Sequence, residues 1–130
     1  MDIFSETPRG INKPLICIVD DDEAVGTALR LLVRSFGWRA EIYSSAPAFL
    51  DALAAPPDCL LLDLNMPQMN GAELLETLAR RGMAVRTIMI TAQKDSPLLA
   101  RAHAAGARAK LTKPFGDEEL KRCIEAVLAA

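Results

Sequence analysis

One hundred and thirty residues, 51% of them hydrophobic, fit one compact domain and leave no room for a second folded one. A net charge of −2 gives no broad basic field for direct nucleic-acid binding, and no apolar run approaches membrane-spanning length. Cys17, Cys59 and Cys123 are widely spaced in apolar runs, which predicts small reduced core residues rather than a disulfide frame or a metal knuckle. Residues 1–13 mix Asp2, Glu6, Pro8, Gly10, Asn12 and Lys13 without an apolar stretch. The expectation is a flexible extension ahead of a folded unit over 14–130, in a cytoplasmic protein.

Leu15, Ile16, Cys17, Ile18 and Val19 read as a strand buried on both faces, ending at Asp20, Asp21, Asp22 and Glu23. Val25, Leu29, Leu32, Val33 and Phe36 then recur at helical spacing, with Asp22 and Glu23 suited to the first turn and Gly37 to the stop. Residues 40–43 predict a short strand, and Ser45 caps a helix with Phe49, Leu50 and Leu53 on its stripe that closes at Pro56 and Pro57. The run of Cys59, Leu60, Leu61 and Leu62 is a third strand, cut off at Asp63 by the turn formers Asn65, Pro67 and Asn70. Gly71 opens a helix carrying Leu74, Leu75 and Leu78 and ending at Gly82, and Thr87, Ile88, Met89, Ile90 and Thr91 form a fourth strand. Ser96 and Pro97 cap and start a helix through Leu98, Leu99 and Ala102 to Gly106. A short strand over 109–112 leads to Lys113, Pro114 and Phe115, and a last helix starting at Gly116 or Asp117 carries Leu120, Ile124, Val127 and Leu128. Strand and helix alternate five times, which argues for a doubly wound α/β sheet with right-handed crossovers.

In such a sheet the carboxyl ends of the strands share one edge, where ligand crevices form. That edge gathers Asp20 and Asp21 after the first strand, Asp63 after the third, Thr91 after the fourth and Lys113 after the fifth. Crowded carboxylates repel one another unless cations offset them, and a hard divalent ion with a lysine would do so. Mg²⁺ binds through one or two carboxylates and keeps several waters, so Asp21 and Asp63 are the expected direct ligands, with Asp20 acting mainly through water. Asp63 keeps an oxygen free to attack a phosphoryl group, giving an acyl phosphate. Lys113 and the ion supply positive charge, and the Thr91 hydroxyl can donate to a further oxygen.

These residues match a family. The chain resembles the receiver domain of bacterial two-component response regulators, close to chemotaxis receivers and to those that precede LuxR-type helix-turn-helix outputs. The carriers are Ile18, Val19, Asp20, Asp21 and Asp22; Leu62 to Pro67 with Asn70 and Gly71; Ile90, Thr91 and Ala92; Gly106 and Ala107; and Lys113, Pro114 and Phe115. The resemblance implies a flavodoxin-like five-stranded parallel sheet of order 2-1-3-4-5, an order for which a chemotaxis receiver is itself a standard example. It implies phosphotransfer to Asp63 from a sensor histidine kinase or a histidine phosphotransfer protein with Mg²⁺ or Mn²⁺. It implies the backbone carbonyl of Asn65 as a further metal ligand, Thr91, Ala92 and Lys113 as the phosphate-binding and switch residues, and a cis peptide before Pro114. Asn65 and Gln93 occupy positions that in this family bias acyl-phosphate lifetime, and as neutral amides they predict moderately slow hydrolysis.

One position departs from the pattern. Many receivers carry Tyr or Phe three residues before the lysine, and here that residue is Lys110. A strongly hydrated ammonium cannot take the same buried place, so the switch works without an aromatic rotor or Lys110 changes partner. Arg101, Arg108, Lys110, Lys121 and Arg122 predict a basic face on the last two helices and the strand between them, open to an acidic partner or a second copy. His103 lies off the apolar stripe of its helix and lacks a helix-bundle setting for carrying phosphate, and Met66 and Met69 read as loop packing.

The chain is thus expected to be a phosphorylation-controlled switch that catalyses only its own phosphorylation and dephosphorylation, either a stand-alone receiver or the first part of a transcriptional regulator. An aspartate-nucleophile phosphatase is disfavoured because Asn65 stands where that chemistry needs a proton-donating acid. A phosphorylation-independent binding module is disfavoured because every expected acid is present.

Overall fold

The computed structural model describes residues 13–130. The strands are β1 (Leu15–Val19), β2 (Arg39–Tyr43), β3 (Cys59–Asp63), β4 (Thr87–Thr91) and β5 (Ala109–Thr112). The helices are α1 (Glu23–Ser35), α2 (Ala46–Ala52), α3 (Gly71–Arg80), α4 (Pro97–Ala104) and α5 (Asp117–Ala129). All strand pairs are parallel and the sheet order is β2-β1-β3-β4-β5, as the resemblance implied. The expectation of a flexible extension over 1–13 lies outside the described residues apart from Lys13, whose carbonyl accepts from Arg39 Nε at 2.9 Å.

Alternation along the central strand builds two cores. Leu60 and Leu62 join Phe49 and Leu50 of α2, Leu74, Leu75 and Leu78 of α3 and Ala102 of α4 on one face. Cys59 and Leu61 join Leu29 and Val33 of α1 and Leu120, Ile124 and Val127 of α5 on the other. Both faces of the sheet are therefore covered. Cys17 is 3% and Cys59 0% exposed, and burial, the larger cause at each, pushes both thiols up to about 12. The three thiols are free, as their apolar setting predicted.

Local signals explain most boundaries. Asp22 accepts from the amides of Ala24 and Val25 at the start of α1, Ser45 from Ala48 at α2 and Ser96 from Leu99 at α4. Gly106, at φ +113°, closes α4 as Ala107 N returns to Ala102 O at 3.0 Å. Two elements end earlier than their stripes: α2 stops at Ala52 with Leu53 already extended, and Phe36 caps α1 from outside. Both side chains still pack on the core, so apolar spacing continued past the last helical turn.

Among the described residues, no helix is long and apolar enough to cross a membrane.

Candidate functional site

The end of β1 and the end of β3 are neighbours because β1 and β3 pair in parallel, with Val19 opposite Leu62. The acids that follow each strand therefore meet. Asp20, Asp21 and Asp63 each offer a carboxylate oxygen, and these oxygens all lie within 4.8 Å of one another. Asp20 is 4% and Asp63 7% exposed, whereas Asp21 is open to solvent.

Burial leaves this cluster short of partners. Asp20 Oδ1 accepts from the Asp22 amide at 2.8 Å, but its buried Oδ2 has no partner among the described residues. Among the described residues, Asp63 Oδ1 accepts only from the Asn65 amide, at a long 3.4 Å. Burial first, then the charge on Asp20, pushes the Asp63 carboxyl up to about 6 from 3.8, against the pull of Lys113 and the Asn65 amide. Asp20 is raised as well, chiefly by burial, with the Asp22 amide and Lys113 opposing. A half-buried lysine thus draws on both acids, and one buried carboxylate oxygen still points at nothing. That donor set fits a hard divalent cation.

The neighbours arrive from two further strands. Thr91, at the end of β4, is 1% exposed, and its hydroxyl accepts from the Gln93 amide at 3.1 Å. Lys113 N donates to Thr91 O at 2.8 Å, and the Lys113–Pro114 peptide is cis, as the resemblance implied. Ala92, Gln93 and Asn65 are exposed around the rim. Met66 is buried and Met69 packs on the core, in keeping with loop packing, and His103 is exposed.

Gly71 fixes the third wall. A Cβ there would lie 2.7 Å from Met89 Cε and 2.8 Å from the Asp63 carbonyl, so only glycine lets α3 start this close to the end of β3. Asn70 and Glu73 form a capping box that holds this start, with Glu73 N on Asn70 Oδ1 at 2.9 Å and Asn70 N on Glu73 Oε1 at 3.0 Å. The Asn-x-x-Glu spacing was readable in the sequence and carries that signature.

The expected basic face is less uniform than its residues suggested. Arg101 Nη2 and Nε bind Glu76 of α3 at 2.6 and 3.1 Å. Lys110 Nζ donates to the carbonyl of Lys94, and Lys121 Nζ sits 5.8 Å from the centre of the Phe36 ring. Three of the five cations thus have partners within the chain, which sequence distance concealed. A cleft of about 790 Å³ between α4 and β5 and one of about 490 Å³ where α3 and α4 end both lie away from the acids. The acidic pocket is recognised by its chemistry, not by its size.

Comparison with known proteins shows the family of the chain. Residues 16–125 match the family model described as "Response regulator receiver domain". The response regulator protein TmoT of Ectopseudomonas mendocina is 44% identical over 115 residues, covering 88% of this chain and 52% of that protein. The transcriptional regulatory protein FixJ of Azorhizobium caulinodans is 39% identical over 113 residues, covering 85% of this chain and 53% of its own. A crystal structure of a response regulator receiver protein from Burkholderia phymatum superposes with a TM-score of 0.78 at 47% identity, covering 90% of this chain and 96% of that one.

The chain belongs to the response regulator receiver domain family, whose members are signalling switches of two-component systems that use phosphoaspartate and Mg²⁺. It spans about half the length of the curated relatives it matches.

Proposed function

We propose that residues 14–130 form a receiver unit in which Asp63 accepts a phosphoryl group from a sensor histidine kinase or a histidine phosphotransfer protein. The observation that carries this reading is the meeting of Asp20, Asp21 and Asp63 within 4.8 Å, with a buried oxygen of Asp20 unpartnered and Lys113 drawing on two of the acids.

A carboxylate oxygen of Asp63 attacks phosphorus, the new O–P bond forms as the N–P bond to the donor histidine breaks, and the imidazole nitrogen keeps the electron pair. Ionised Asp63 is the reactive form, and it predominates at neutral pH because its pKa is about 6. Lys113 steadies the equatorial oxygens by charge, the Thr91 hydroxyl donates to one of them, and small Ala92 leaves room. Asp21, Asp63 and the Asn65 carbonyl would hold Mg²⁺ or Mn²⁺, with Asp20 acting through water. Such an ion supplies positive charge that offsets carboxylate repulsion and polarises the phosphoryl oxygens. Asn65 and Gln93 on the rim orient the water that later hydrolyses the acyl phosphate, which sets a moderately slow return.

Phosphorylation then shifts the Thr91 loop and the surface of α4, β5 and α5, which engages an output or pairs two copies. The switch acts in the cytoplasm and leaves nucleic-acid contact to a partner or an output domain. Incubation with acetyl phosphate and Mg²⁺ tests the reading by intact mass: one phosphoryl group is expected on the parent chain and none on Asp63→Asn. Full labelling of Asp63→Asn would show the acceptor misassigned.

A further inference from the structure

We propose that Lys110 is a positioning residue for the loop that follows Thr91: by holding the carbonyl of Lys94 it sets where residues 92–96 rest, and so how readily the Thr91 hydroxyl turns toward Asp63. The inference rests on the reading of Asp63 as phosphoacceptor.

Lys110 lies on β5 opposite Met89 of β4, and its Nζ reaches across to Lys94 O in the connection between β4 and α4. The backbone of Thr91 is pinned to the segment after β5, because Thr91 O accepts from Lys113 N at 2.8 Å. Its hydroxyl belongs to the loop instead, since it accepts from Gln93 N at 3.1 Å. A hydroxyl can accept and donate together, but to swing toward Asp63 it must carry the Gln93 amide along or release it. Gln93 is the immediate neighbour of Lys94, so whatever fixes Lys94 resists either outcome.

Little else fixes this segment. Residues 92–95 are exposed, and α4 buries only Ala102. The helix itself is well tied, since Leu98, Leu99 and Ala102 share a core with the leucines of α3 and Arg101 pairs with Glu76, so the loosely held part is the loop. Where apolar burial is this sparse, one hydrogen bond from a charged donor can shift the balance between two loop positions several-fold. The bond from Lys110 is made with Thr91 turned to the loop, so it favours the phosphate-free position.

Lys110→Met keeps the apolar stem and removes the donor from an exposed site, so the fold is retained. It is expected to quicken amide hydrogen exchange at residues 93–96 in the unmodified chain, and to tighten binding of beryllofluoride with Mg²⁺ by about three-fold. Lys110→Arg, which restores a donor, is expected to return both readings toward the parent values. A residue that merely stabilises the loop would quicken exchange without improving affinity for the phosphoryl analogue, and that result overturns the inference. Unchanged exchange in Lys110→Met overturns it too, with the phosphoacceptor reading intact. Failure of the parent chain to bind beryllofluoride overturns the phosphoacceptor reading and takes this inference with it.

Discussion

Asp20 and Asp63 end up as neighbours in a pocket where each is more than nine-tenths buried, and the charge on Asp20 is the second cause, after burial, of the raised proton affinity of Asp63. Two acids that would ionise freely in the unfolded chain are thereby set against each other by folding.

That opposition gives stability a pH signature. A carboxyl with a folded-state pKa of about 6 and an ordinary value of 3.8 binds more protons when folded, so its contribution is full below about 3.8 and is lost as pH rises through about 6. In chelator, the parent chain is expected to lose about 2–3 kcal/mol relative to Asp63→Asn as pH rises through that interval. Thermal melts of both proteins from pH 4 to pH 8 check this, and parallel curves would contradict it.

The divalent cation proposed for this pocket would compete with those protons. Mg²⁺ at about 100 times its dissociation constant is expected to add about 2.7 kcal/mol of stability, with a smaller effect at pH 5 than at pH 7.5. Asp21 is exposed, so Asp21→Asn leaves the fold intact while removing a proposed ligand. A Tm response to Mg²⁺ as large in that variant as in the parent would exclude Asp21 from the site.

Lys113 restrains the pKa of Asp63 from above. Lys113→Met is expected to move the Asp63 titration, followed by carboxyl-carbon NMR, above about 6, and to slow labelling by acetyl phosphate. An unmoved titration would mean that the ammonium group does not serve this pocket.

Gly71→Ala tests the geometry of the wall. The added methyl meets the Asp63 carbonyl at 2.8 Å and Leu64 Cα at 3.1 Å, backbone atoms that cannot yield as a side chain would. A loss of about 2–3 kcal/mol is expected in urea unfolding, because α3 must retreat from the end of β3. A neutral substitution would show that this close approach relaxes freely.

The sequence made the sheet readable because buried parallel strands are nearly continuous apolar runs, and each such run stops at a chemically distinctive residue: Asp20, Asp63 or Thr91. Helix starts were readable through Asp22, Ser45 and Ser96, whose capping is a local affair. What stayed hidden depends on pairings between distant residues. Nothing near Arg101 announces Glu76, and nothing near Lys110 announces the carbonyl of Lys94. The five cations looked like one face because sequence reports charge without reporting partners. Likewise Gly71 reads as a helix start, but the closeness of Met89 and Asp63 that makes glycine necessary appears only in three dimensions.

The sealed thiols give the molecule a built-in clock for its own opening. Cys17 and Cys59 lie on neighbouring central strands, nearly free of solvent contact and protonated at any physiological pH. Cys17 lies in the core under α2 and α3 and Cys59 in the one under α1 and α5, so an alkylating reagent reaches them only when those helices lift from the sheet, and their modification rate counts such openings. Ligands that close the acidic pocket would slow that clock from the far end of the same two strands.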